Sequence, residues 1–167
     1  MKEVIGEIQE MLSSVIDVST HKNGACLYMG ALLFAMINSR YHARAKLVTG
    51  SLTLNNRIVF SHEPIQPILN SGMDFSGQWS GHAWVEVGGY IVDPSIFLTI
   101  YSPTTTLELQ KLFREKFKEK CNYLIDMDEN LYAKCIFYKR LEILTDKDAT
   151  ILINNGADLG FYDESLL

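Results

Sequence analysis

The chain has 167 residues, 47% hydrophobic and 21% charged, with a net charge of -5. That length and composition imply one folded domain with its own core, residues 1–167, and exclude a disordered chain. Acidic and basic side chains balance at 11 each over residues 1–120, whereas 121–167 carry 9 acidic and 4 basic; the acidic end reads as solvated surface, and no nucleic-acid partner is expected.

In chain order, residues 3–17 read as an amphipathic helix with Val4, Ile5, Ile8, Leu12, Val15 and Ile16 on one stripe. Glu3, Glu7 and Glu10 interrupt it, so it reads as a helix and not as a secretory signal. His21-Lys22-Asn23-Gly24 breaks the pattern, and a second helix follows over 25–38, apolar nearly all round and therefore buried. The longest apolar run, 25–37, is too short to cross a bilayer, and no membrane partner is expected. Residues 43–54 form a strand, Asn55-Asn56 turns it, and 57–61 returns as its hairpin partner. Residues 62–81 hold Pro64, Pro67, Gly72, Gly77 and Gly81 without a period and read as one long loop. A strand over 82–87, a Gly88-Gly89 hairpin turn and a returning strand over 90–93 come next, ended by Pro94. The spacing then predicts a helix over 106–120 with Leu109, Leu112, Phe113 and Phe117 inward, a strand within 131–144, and a short helix over 146–155 stopped by Asn155-Gly156. The fragment at 151–159, ILINNGADL, has the look of an ankyrin-repeat end, but a single partial repeat cannot bury its own face.

Three residues carry the chemistry. Cys26 falls in the first turn of the buried helix, where unpaired N–H groups and the helix dipole favour thiolate over thiol; a plain core cysteine is the competing reading. In the hairpin HAWVEVGGYIVDP, a two-residue turn pairs Val87 with Tyr90, Glu86 with Ile91 and Val85 with Val92. Alternation then puts His82, Trp84, Glu86, Ile91 and Asp93 on one face, and Ala83, Val85, Val87, Tyr90 and Val92 on an apolar one. Asp93 becomes the diagonal neighbour of His82, within reach of an imidazole–carboxylate hydrogen bond. The competing reading of Asp93-Pro94 is ordinary turn chemistry.

The order is thus Cys, His, Asp. With these residues in place, NGACLYMGALLFAMINSRYHARAKLVTGSL resembles the nucleophile helix and following strand of transglutaminase-like proteins, and HAWVEVGGYIVDPS resembles their histidine and aspartate strands. The resemblance runs from Asn23 to Ser95. Related cysteine peptidases and arylamine N-acetyltransferases share that architecture, and the cysteine and HAWVE segments are also similar to small leader peptidases of ribosomal peptide maturation. The resemblance implies an α+β papain/transglutaminase-like fold, with the nucleophile helix packed on a small, mainly antiparallel sheet. It implies that Cys26 attacks an acyl carbonyl, His82 moves the proton and Asp93 orients His82. The oxyanion then needs the Cys26 N–H and a second donor. Asn23 is the candidate for the second donor, beside its alternative role as a helix cap.

Trp84, on the His82 face, either walls the site or packs over the catalytic helix. Glu86 is expected to meet Arg44, as the resemblance suggests. His21 reads as a loop residue, and His42 and His62 have no clear partner. Cys121 and Cys135 lack the spacing of a zinc knuckle, and no calcium loop is present, so neither metal nor cofactor is expected. An odd cysteine count without a secretory signal implies free thiols and a cytoplasmic setting, with export lacking a cleaved signal as the other route. The function implied is thiol-dependent hydrolysis or acyl transfer on an amide or ester of a peptide, protein or small acyl compound. Peptidase, amidase or deamidase, and crosslinking transferase all belong to that class. The alternative is a catalytically inactive binding or scaffold module of the same fold. Loop 62–81 and the region after Pro103 are expected to shape the pocket.

Overall fold

The structure, a computed structural model, describes residues 2–20, 24–41, 45–72, 79–117 and 121–163. Helix α1 (Lys2–Val18) buries Ile8, Met11, Leu12 and Val15, a stripe at helical spacing. Helix α2 (Ala25–Tyr41) is buried around most of its circumference, as its lack of amphipathic pattern requires. It packs against α1, against the sheet and against the last helix, α7 (Asp146–Asp158). Gly30 of α2 sits against Ala83 of the sheet; a Cβ at Gly30 would lie 3.8 Å from the Ala83 Cβ and 3.2 Å from Leu47 Cδ1. Two small residues thus let the helix lie close on the strand that begins with His82.

Among the described residues the sheet has six strands, and every pairing in it is antiparallel. Its axis is β1 (Lys46–Leu54). One edge of β1 is paired along its length by β6 (Ile136–Leu144). The other edge is shared: β3 (His82–Val87) pairs with the first half, up to Gly50↔His82, and β2 (Arg57–Phe60) with the second, from Leu52↔Phe60. The sheet therefore forks at Gly50–Leu52, and His82 and Phe60 meet there. A Cβ at Gly50 would collide with the Lys139 carbonyl oxygen and approach Trp84 Cη2 to 2.9 Å. Glycine is what lets the β1–β6 ladder, irregular at Thr49/Gly50, close at the fork. Beyond β3 follow β4 (Tyr90–Asp93) and β5 (Leu124–Met127).

Side-chain alternation splits the core in two. Leu47, Ala83, Val85 and Val92 pack under α1, α2 and α7. Val48, Leu52, Trp84 and Ile91 pack on the other face with Ile96, Phe97 and Ile100 of α4 (Ile96–Ile100), Phe113 of α5 (Leu107–Lys116) and Leu131 of α6 (Asp128–Ala133). The chain is thus α+β, with its cysteine helix on an antiparallel sheet.

The β3–β4 register is the one the Gly88-Gly89 turn dictates: Val85↔Val92, Glu86↔Ile91, Val87↔Tyr90. Four details differ from the sequence reading. Residues 62–81 are not one loop, since α3 (Gln66–Asn70) forms within them with Pro67 in its first turn. Residues 131–144 are not a single strand: α6 ends at Ala133, Cys135 takes a φ of 58°, and only then does β6 begin. Elements α4 and β5 have no counterpart in the sequence reading. Asn155-Gly156 does not stop the last helix, which runs to Asp158, with Gly160 (φ 68°) just beyond it. Gly156 is there for packing, because a Cβ would come within 2.8 Å of both Tyr28 and Tyr162. Thr145 and Asp148 form a capping box at the start of α7. Among the described residues no helix is long and apolar enough to cross a membrane.

Candidate active site

Cys26 stands one residue into α2, after Gly24 in the left-handed region (φ 85°), and is 8% exposed. It lies in a cleft of about 490 Å³ lined by Leu27, Val59, Phe60, Trp79, Leu98 and Pro103, with hydroxyl side chains and glycines between them. The cleft draws on Trp79, Ser80 and Gly81 from the end of the 62–81 segment and on Pro103 and Thr104.

His82 and Asp93 are buried beside that cleft, both fully inaccessible. His82 Nε2 donates to Asp93 Oδ2 at 2.5 Å. Its other nitrogen, Nδ1, is buried without a conventional hydrogen-bond partner. Because Asp93 occupies Nε2, Nδ1 is the nitrogen left for the thiol of Cys26. Burial alone lowers the His82 pKa, but the Asp93 charge and hydrogen bond outweigh it. With Cys26 adding to the effect, the pKa is raised to about 10. The Asp93 pairing thus favours the imidazolium form. Phe60 stacks on it with ring centroids 4.7 Å apart and planes 15° from parallel, a face suited to a cation.

Asp93 is itself tightly held. Oδ2 also accepts from the Tyr138 hydroxyl at 2.9 Å. Oδ1 accepts from Ser95 N at 2.9 Å, Ser95 Oγ at 3.2 Å and Ile96 N at 2.9 Å. Burial raises its pKa, but the His82 charge and these hydrogen bonds prevail and hold it below the usual carboxylate range. The turn reading and the histidine-partner reading of Asp93 thus both hold, one on each oxygen. Burial, with the Asp93 charge and hydrogen bond adding, pushes the Tyr138 phenol well above its ordinary value, so it stays a donor.

Of the sequence candidates, Cys26, His82 and Asp93 come together. Trp84 is fully buried, stacks 6.3 Å from His82 and donates Nε1 to Glu86 Oε1 at 3.2 Å; it neither lines the cleft nor packs over α2, because its face of the sheet is the one covered by α4, α5 and α6. Asn23, His21, His42 and Arg44 lie outside the described residues. Glu86 pairs with Arg140, whose Nε donates to Oε1 at 3.1 Å. His62, expected without a partner, bonds Glu142 Oε2 at 3.1 Å and Thr49 Oγ1 at 3.3 Å. Tyr138, Phe60 and Ser95 escaped the sequence reading. Tyr138 arrives by the pairing of β6 with Leu52, which no local pattern encodes, whereas Phe60 comes on the hairpin strand that Asn55-Asn56 signals, opposite Leu52 at an irregular register. Ser95 stands in the VDPS motif, and its position after Asp-Pro was the available signal. Cys121 and Cys135 are exposed. Among the described residues no three His, Cys, Asp or Glu side chains gather as metal ligands.

Comparison of the chain with protein-family models, curated proteins and solved structures finds no match.

Proposed function

We propose that the protein is a cysteine-dependent enzyme of acyl chemistry, with Cys26 as nucleophile, His82 as acid–base partner and Asp93 as orienting carboxylate. The observation that carries this reading is the buried His82, bonded through Nε2 to Asp93 and raised in pKa by both Asp93 and Cys26, next to a cleft lined by that cysteine. A plain core cysteine needs neither a buried imidazolium nor an open cleft. The motifs around Cys26, His82 and Asp93 support a transglutaminase-like, papain-type architecture, to which an α+β chain with its cysteine helix on an antiparallel sheet conforms.

In this mechanism the Cys26 thiolate attacks the carbonyl carbon of an amide or ester, and the oxyanion takes a hydrogen bond from the Cys26 N–H, with Asn23 as the sequence candidate for a second donor. His82 gives its proton to the leaving amine or alcohol as the carbon–heteroatom bond breaks, leaving a thioester on Cys26. Water or an amine then attacks the thioester, passes its proton to His82, and the thiolate returns. The substrate is a peptide, a protein or a small acyl compound.

Incubation with p-nitrophenyl acetate followed by peptide mass spectrometry tests the reading. One acetyl group on the Cys26 peptide, formed with a p-nitrophenol burst and abolished in Cys26→Ser and His82→Ala, is the expected result. Acetylation spread evenly over Cys26, Cys121 and Cys135, unchanged by His82→Ala, supports an inactive binding module instead.

A further inference from the structure

The cleft has a wall that the triad does not explain. Trp79 lines it together with Cys26, and its ring is fixed from several sides. The indole Nε1 donates to the Glu63 carbonyl at 2.6 Å. The ring lies on Gly81, where any Cβ would collide with its six-membered half. His62 meets it edge-on, with centroids 5.7 Å apart and planes at 88°.

One carboxylate takes most of the hydrogen bonds from the segment that holds Trp79, which Gln66 Nε2 also ties to Ile143 O and Asp148 Oδ2. Glu142, on β6, accepts through Oε2 from Thr49 Oγ1 at 3.0 Å, Ile65 N at 2.9 Å and His62 Nε2 at 3.1 Å, and through Oε1 from Gln66 N at 3.2 Å. Its side chain is 12% exposed and that of His62 only 5%. A carboxylate so enclosed needs its donors, and charge-assisted bonds of this kind fix position strongly. Glu142 is itself in register opposite Thr49 in the β1–β6 ladder. The sheet thus sets Glu142, Glu142 sets residues 62–66, and the Glu63 carbonyl sets the indole beside the cysteine. A plain stability role for Glu142 requires none of this chain to end at the cleft.

We propose that Trp79 is the specificity-determining wall of the Cys26 cleft, selecting substrates with a flat apolar group beside the reacting carbonyl, and that Glu142 is its positioning residue. Phe60, Leu98 and Pro103 supply further apolar surface in the same cleft. The inference rests on Cys26 being the reactive nucleophile.

Two alkylating probes with one warhead test it: iodoacetamide and 2-iodo-N-phenylacetamide, each rate taken relative to N-acetylcysteine at neutral pH. Wild type is expected to favour the phenyl probe by about fivefold to tenfold, the range of one aromatic contact. Trp79→Ala, Gly81→Ala, which displaces the indole, and Glu142→Gln, which turns an amide N–H toward backbone donors, each bring the ratio toward one. The double variant Trp79→Ala/Glu142→Gln falls no further than Trp79→Ala alone, because the two act through one element. Should Glu142→Gln fail to fold, Glu142→Asp keeps the charge but withdraws the carboxylate, and is expected to lower the ratio as well. A ratio that both folded Glu142 variants leave intact, or effects that multiply in the double variant, overturns the role of Glu142. A wild-type ratio near one, with rapid iodoacetamide reaction, overturns this inference alone. A Cys26 no faster than N-acetylcysteine with iodoacetamide overturns the nucleophile reading, and this inference with it.

Discussion

His82 and Tyr138 converge on a single oxygen: Asp93 Oδ2 accepts from His82 Nε2 at 2.5 Å and from the Tyr138 hydroxyl at 2.9 Å. The other oxygen takes the Ser95 and Ile96 donors that follow Pro94. Every lone-pair direction of the carboxylate is thus spoken for, which is how an anion survives in the core.

Asp93→Ala leaves a buried imidazolium and several buried donors without an acceptor. Removing one member of a buried charge pair typically costs about 3–5 kcal/mol. Chemical denaturation is expected to show a loss of that size. Asp93→Asn keeps the volume and part of the hydrogen bonding, so it is expected to lose less stability while still losing the acyl-enzyme burst.

Tyr138→Phe removes one donor to a charged acceptor and leaves the triad in place. A hydrogen bond to a charged group contributes about 1.5–3 kcal/mol. Denaturation is expected to show a loss within that range, because Asp93 Oδ2 is buried and keeps only its bond from His82. Cys26 alkylation is expected to slow by less than tenfold, far less than in His82→Ala. Equal losses in the two variants would contradict a supporting role for Tyr138.

The His82–Asp93 pair also fixes a pH window. The His82 pKa is raised from 6.5 to about 10 on folding, so its contribution is complete below about pH 6.5 and is lost as pH rises through about 10. The Asp93 pKa is lowered, so its contribution holds above the ordinary carboxylate range and is lost as pH falls through its depressed folded value. The stability difference between wild type and His82→Gln is therefore expected to shrink between about pH 6.5 and pH 10. Denaturation curves at half-unit steps check this; a difference that grows with pH would contradict the charged pair.

Gly50→Ala puts a Cβ against the Lys139 carbonyl, a backbone atom that cannot rotate away. Overpacking commonly costs about 1–3 kcal/mol, and this site belongs at the upper end. Because the fork at Gly50 also seats His82 beside Phe60, the variant is expected to lose Cys26 reactivity along with stability. Paired measurement of denaturation midpoint and alkylation rate checks both.

What could be read from the sequence was what local rules determine. Gly88-Gly89 fixes the β3–β4 register, and with it the meeting of His82 and Asp93 eleven residues apart. The apolar circumference of 25–38 marks α2 as buried. What could not be read depends on β6. Tyr138 reaches Asp93 across 45 residues and Glu142 reaches His62 across 80, through strand pairings that no short-range signal encodes. Asn155-Gly156 misled for a related reason: the sequence shows a helix stop, whereas Tyr28 and Tyr162 demand a glycine inside the helix. Helix α3 was hidden because five residues with a proline among them show no period.

The most direct measurement of the central claim is the alkylation rate of Cys26 by iodoacetamide at neutral pH, relative to N-acetylcysteine, followed on the Cys26 peptide in wild type and in His82→Ala. The account predicts a wild-type rate well above that of N-acetylcysteine, lost in His82→Ala. A wild-type rate no faster than N-acetylcysteine, or a rate indifferent to His82, would contradict it.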